Sequence, residues 1–224
     1  MVLHLLREID SLKQKILHVG AMVEQRVYES VLALANRDEK LARTVIEGDV
    51  RIDQAEVDVE ESCLKTLALH QPVAMDLRFI VAVLKINNDL ERIGDLAVNI
   101  AERVAYLVTR PPAALAFDFN VMAGEAREML KKSLDALVNL SPPLAYEVCE
   151  RDDGVDALNR EVYIKVQQAI VAHPDQADCL IHMLSVSRHL ERIADHATNI
   201  AEDVIYMVEG EIVRHKVEHY DKQR

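Results

Sequence analysis

Four acidic pairs, each at four-residue spacing, carry the clearest capacity for chemistry in this chain: Asp49 with Asp53, Glu91 with Asp95, Asp152 with Asp156, and Glu191 with Asp195. At 100° per residue an i, i+4 pair projects from one face of a helix, so each pair sets two carboxylates side by side. One such pair is common and means little. Four in two related sets suit a hard cation, because Mg²⁺, Mn²⁺, Ca²⁺ and iron take carboxylate and amide oxygens, and carboxylates can bridge several ions. Around the first pair, Asp49, Asp53, Glu56 and Glu60 form one stripe spaced i, i+4, i+7, i+11. Val50, Val57 and Leu64 flank the stripe on one side and Ile52, Ala55, Val59 and Cys63 on the other, so it is expected to face the rest of the protein. Carboxylates placed there lose hydration and repel one another, at several kcal/mol per ion unless cations compensate. Arg92 and Arg192 supply part of that charge. The second set has Asn159 and Tyr163 where the first has Glu56 and Glu60, and fewer charges predict weaker cation binding there.

The pairs belong to an internal duplication. Leu90-Glu-Arg-Ile-Gly-Asp-Leu-Ala-Val-Asn-Ile-Ala-Glu102 returns as Leu190-Glu-Arg-Ile-Ala-Asp-His-Ala-Thr-Asn-Ile-Ala-Glu202, identical at ten of thirteen positions. Glu91, Asp95, Asn99 and Glu102 reappear as Glu191, Asp195, Asn199 and Glu202, whereas a repeat kept only for packing need preserve only its apolar positions. The six prolines fall at Pro72, Pro111-Pro112, Pro142-Pro143 and Pro174, and a further break at Asn36-Arg37-Asp38 carries a capping aspartate. Between these breaks the pattern predicts helices near 3–36, 38–70, 74–109, 118–140, 142–172 and 175–209. The expected fold is all-α: two tandem three-helix bundles, 1–110 and 115–214, joined by Arg110-Pro-Pro-Ala-Ala114, with a polar, frayed tail from His215.

Composition narrows the function. Abundant Ala, Leu, Val, Glu and Arg with six Gly and no Trp fit helices, and a net charge of −12 argues against a nucleic-acid partner. The amino terminus lacks the apolar run of a signal peptide, and no stretch approaches a membrane span, so a cytoplasmic protein without membrane insertion is expected. Cys63, Cys149 and Cys179 are scattered, which fits buried apolar residues in a reducing compartment. Di-iron carboxylate bundles pair Glu with Glu-x-x-His, and none of the nine histidines has Glu three positions before it. Neither a Ser-His-Asp spacing nor a phosphate loop occurs, so no enzyme is expected. His196 follows Asp195 and could supplement the ligands, although the first copy has Leu96 there. A metal-storage or metal-enzyme protein and a plain helical scaffold are the competing classes, and a homodimer is the default assembly.

The runs Asp49-Val-Arg-Ile-Asp53, Leu69-His-Gln-Pro-Val-Ala-Met-Asp-Leu-Arg78, Asn88-Asp-Leu-Glu-Arg-Ile-Gly-Asp95 and Leu190 to Glu202 resemble the PhoU family over nearly the whole chain, from about Leu6 to His215. The resemblance implies two three-helix bundles holding metal clusters on the surface, built from Mg, Mn, Fe or Zn ions. Carried over by position, one site comprises Asp49, Asp53, Glu91, Asp95 and Glu102, and the other Asp152, Asp156, Glu191, Asp195 and Glu202. Glu56, Asn99, Asn199 and His196 are adjuncts. It also implies a regulator without catalysis, which restrains the phosphate ABC transporter through its ATPase and holds the phosphate-sensor histidine kinase inactive from the inner face of the membrane.

Overall fold

Pro72, Pro142 and Pro174 divide the chain as expected, and the computed structural model, which describes residues 2–113 and 117–210, is all-α. Ala114 of the linker and the tail from His215 lie outside the described residues. The helices are α1 (Val2–Asn36), α2 (Glu39–Glu47), α3 (Val50–His70), α4 (Ala74–Leu107), α5 (Phe119–Asn139), α6 (Pro142–Ala172) and α7 (Ala177–Glu209), the last preceded by a 3₁₀ turn at Pro174–Gln176. Among the described residues there is no strand. Asp38 caps α2 by accepting from the Leu41 amide at 3.0 Å, and Pro142 opens α6, where its missing N–H costs nothing.

The six expected helices are present, the second broken into α2 and α3 at Gly48-Asp49. Arg26 of α1 lies across the break and donates to the Thr44 carbonyl at 3.0 Å, in space that any side chain at residue 48 would enter. The equivalent position in the second copy is Arg151, inside an unbroken α6, where it pairs with Glu125 of α5 at 3.0 Å. The helix is thus interrupted in the first copy and continuous in the second.

In each half the long helix of the motif packs between its neighbours: α4 against α1, α2 and α3, and α7 against α5 and α6. The halves then join along α4 and α7, with α1 also against α5. Lys85 meets Asp203 at 3.1 Å, Asp89 meets His196 at 2.8 Å, and the Tyr106 and His182 rings stack at 3.9 Å. Rising numbers on α4 meet falling numbers on α7, so the two run antiparallel and the duplicated halves are related by a local twofold. One buried apolar cluster, from Leu12 and Ile16 through Ile86 and Ile93 to Met129, Ile193 and Ile200, crosses this junction. The halves therefore share a core, which requires α4 and α7 to be apolar over much more than one stripe.

Candidate metal centres

The break at Gly48 places Asp49 at the head of α3 with its side chain free of the usual capping bond. Gly94 of α4 lies opposite: a β-carbon there would stand 3.5 Å from Ile52 and 3.8 Å from the Asp49 carboxylate. Asp49 is thereby half-buried, and burial first, then the charges of Asp53 and Asp95, push its carboxyl above the usual range. Glu91 is raised by burial and by Asp95, with Glu56 and Asp53 adding smaller repulsions that Arg92 partly offsets. Glu56 is raised by burial, Glu60 and Asp53. The electrostatics thus link Asp49, Asp53, Glu56, Glu60, Glu91 and Asp95 into one acidic surface. Arg92 bridges it, reaching Glu91 and Asp95 at 3.4 Å each.

In the second half Asp156, Glu191 and Asp195 converge more closely, each offering an oxygen within 4.8 Å of the others. Burial, then Asp195 and Asp156, carry Asp152 up to about 6, against one bond accepted from Thr198 at 3.3 Å. Glu191 is raised by burial and Asp156, and Asp195, though open to solvent on one side, by burial and Glu191. Ligand oxygens on opposite sides of a hard cation stand about 4.2–5 Å apart, so these three are at the spacing one ion can span. The donor set is all-oxygen and carries excess negative charge. It fits Mg²⁺, Mn²⁺ or iron better than a thiol-seeking ion, and Cys63 lies buried in the apolar core, its thiol pushed up to about 12 by burial.

Glu102, about two helical turns beyond Asp95, meets its neighbour Arg103 at 3.7 Å, and Glu202 is half-buried at the matching place on α7. Asn99 is half-buried on α4. His196 and Asn199 turn to Asp89 of the other half, at 2.8 and 3.4 Å, instead of to the acids. Asp89, nearly buried, is the residue that motif spacing missed; its counterpart is His189, and that divergence within an otherwise close repeat was the available signal. The stripe on α3 also corrects an expectation. Val50, Val57 and Leu64 are exposed, because only the flank of Ile52, Val59 and Cys63 packs inward, so the acids sit at the edge of the bundle.

Asn159 and Tyr163 take different roles. Asn159 accepts from Ser187 of α7 at 2.6 Å, while at the matching place in the first half Asn87 of α4 donates to Glu56 at 2.9 Å. A hydrogen bond between equivalent helices survives with both partners changed.

Comparison with known proteins bears on the fold and on the duplication. The PhoU domain model matches residues 16–104 and 119–204. The phosphate-specific transport system accessory protein PhoU homolog of Aquifex aeolicus is 38% identical over 212 residues, covering 95% of this chain and 96% of its own. The homolog of Rhizobium meliloti is also 38% identical, over 91% of this chain and 86% of its own. The crystal structure of PhoU from Pseudomonas aeruginosa superposes with a TM-score of 0.89 at 33% identity, covering 92% of this chain and 99% of that one. PhoU from Streptococcus pneumoniae gives 0.81 at 29% identity, over 93% and 99%. Two matched domains and relatives of the same full extent leave one conclusion: the chain belongs to the PhoU family.

Proposed function

We propose that this protein is a cation-binding adaptor that restrains high-affinity phosphate uptake and the phosphate-starvation response. The observation that carries this reading is the match of both halves to the PhoU domain, together with relatives of equal length named as accessory proteins of phosphate-specific transport. It acts without catalysis, by docking on the transporter ATPase and the sensor kinase at the inner face of the membrane. Attachment there runs through partners; among the described residues no helix is long and apolar enough to cross a membrane. Mg, Mn, Fe or Zn ions held by the two acidic surfaces stiffen the edges of α3, α4, α6 and α7, and the protein works as a homodimer. The experiment is deletion of the gene in a strain with no second copy. Phosphate-starvation genes are expected to stay on in phosphate-rich medium, with Glu91→Gln combined with Asp95→Asn reproducing the defect. Normal repression in the deletion strain removes the regulatory assignment.

A further inference from the structure

Beside the second acidic surface, α6 and α7 enclose an open groove of about 480 Å³ lined by Asn159, Arg160, Tyr163, Ile164, Leu184 and Arg188. Its two arginines come from different helices, Arg160 from α6 and Arg188 from α7. Among the described residues neither forms an ion pair within 4.0 Å, in a chain with 38 acidic side chains against 26 basic ones. The duplication provides an internal control. By the repeat offsets, the equivalent positions in the first half are Glu56, Val57, Glu60, Glu61, Leu84 and Asn88. The same place thus carries three carboxylates in one copy and two guanidiniums in the other. Packing cannot require this, since the helix pair forms with either set.

We infer that the groove between α6 and α7 binds a phosphate-class dianion. A guanidinium presents paired N–H donors that match two phosphate oxygens, and two of them lining one groove from adjacent helices can share one dianion. Asn159 adds a donor: its Oδ1 is engaged by Ser187, which leaves the amide NH₂ to offer. Tyr163 and Ile164, each about half exposed at 52% and 53%, form an apolar shelf with Leu184. The volume is several times that of an inorganic phosphate, so the shelf suits the apolar body of a phosphate ester. Asp156 and Glu191 lie one helical turn from Asn159 and Arg188 respectively, and they oppose an anion until their charge is neutralised. Binding is therefore expected to be stronger when a cation is present.

Calorimetric titration of the whole protein with phenyl phosphate and with inorganic phosphate, each in millimolar Mg²⁺ and in EDTA, tests this. Saturable binding is expected in Mg²⁺, weakened about tenfold or more by Arg160→Gln with Arg188→Gln, since each charge-assisted contact contributes more than a neutral one. Both arginines are exposed, so the variant should keep its helicity, which circular dichroism checks. Tighter binding of phenyl phosphate identifies an ester as the ligand, and equal binding identifies free phosphate. No binding of either ligand in both buffers, or equal affinity in the double variant, overturns the inference. The melting temperature with and without Mg²⁺, recorded in parallel without phosphate, reports cation binding separately. Loss of the metal reading and loss of the anion groove are thus distinguishable.

Discussion

Asp49, Glu56, Glu91, Asp152, Glu191 and Asp195 all have carboxyls raised first by burial and then by other carboxylates. A salt-bridge network would lower them. Mutual repulsion in a partly dry place is instead the condition that a bound cation relieves, and it predicts the effect of removing one charge. Asp53 is exposed and contributes repulsion to Asp49, Glu56 and Glu91. Asp53→Asn is therefore expected to weaken cation binding while leaving the metal-free protein equally or more stable. A loss above about 2 kcal/mol in EDTA, measured by urea unfolding, would mark Asp53 as a structural partner and remove it from the site. The pH dependence has a definite sign. Asp152 rises from 3.8 to about 6, so the folded chain holds a proton that the unfolded chain releases, and this contribution to stability is lost as pH rises through 6. His189 falls from 6.5 to about 4 through burial and the nearby arginines, so its contribution is present above 6.5 and lost as pH falls through 4. The two oppose each other between about pH 4 and 6. Asp152→Asn leaves the histidine slope less opposed, and the melting temperature in EDTA is expected to climb more steeply with pH in that window. An unchanged slope would refute the Asp152 assignment.

The contacts between helices explain what the sequence could and could not reveal about them. Close approach of α5 to α1 depends on Gly20, where a β-carbon would stand 2.8 Å from one Leu134 methyl and 3.1 Å from the other. Alanine is expected to be near neutral, because Leu134 can shift and a helical alanine is favoured over glycine by about 1 kcal/mol. Gly20→Val adds two more methyls in the same space and should cost about 1–3 kcal/mol in thermal or urea unfolding; a stabilised variant would show that the crossing is not tight. No spacing rule marks Gly20, since it stands between residues that read as an ordinary amphipathic helix. The proline breaks and the acid pairs were legible because each is a local rule: missing N–H groups end helices, and i, i+4 residues share a face. The break at Gly48 was not, because a lone glycine is tolerated inside helices and no local rule reveals that the Arg26 guanidinium, from another helix, fills the space beside it. Likewise Val50, Val57 and Leu64 read as a buried flank, since periodicity locates a face but not the neighbour that covers it.

At the scale of the molecule, duplication has produced two acidic surfaces on one shared core, and they differ in ways that set their relative affinities. The second is better organised, with three oxygens already within 4.8 Å and Thr198 steadying Asp152. The first has more charge, because Glu56 and Glu60 occupy the places of Asn159 and Tyr163. Magnitudes decide between these effects. At about 8 Å and an effective dielectric near 40, each extra carboxylate attracts a divalent ion by about 2 kcal/mol. Displacing Arg92, which is half exposed, costs about 1 kcal/mol or less. Closing a loose site by side-chain rotation costs a further 1 kcal/mol or so per ordered side chain. Charge therefore wins by a small margin, and the first surface is expected to bind Mn²⁺ more tightly. Because one apolar cluster spans both halves, cations at either surface should raise a single melting transition, with an increment that grows as the logarithm of their concentration. Titration calorimetry with Mn²⁺ separates the two surfaces. Glu91→Gln should abolish the tighter class and leave the weaker one, whereas Glu191→Gln should do the reverse. If the tighter class disappears only with Glu191→Gln, preorganisation outweighs charge, and the convergent trio of Asp156, Glu191 and Asp195 is the principal site.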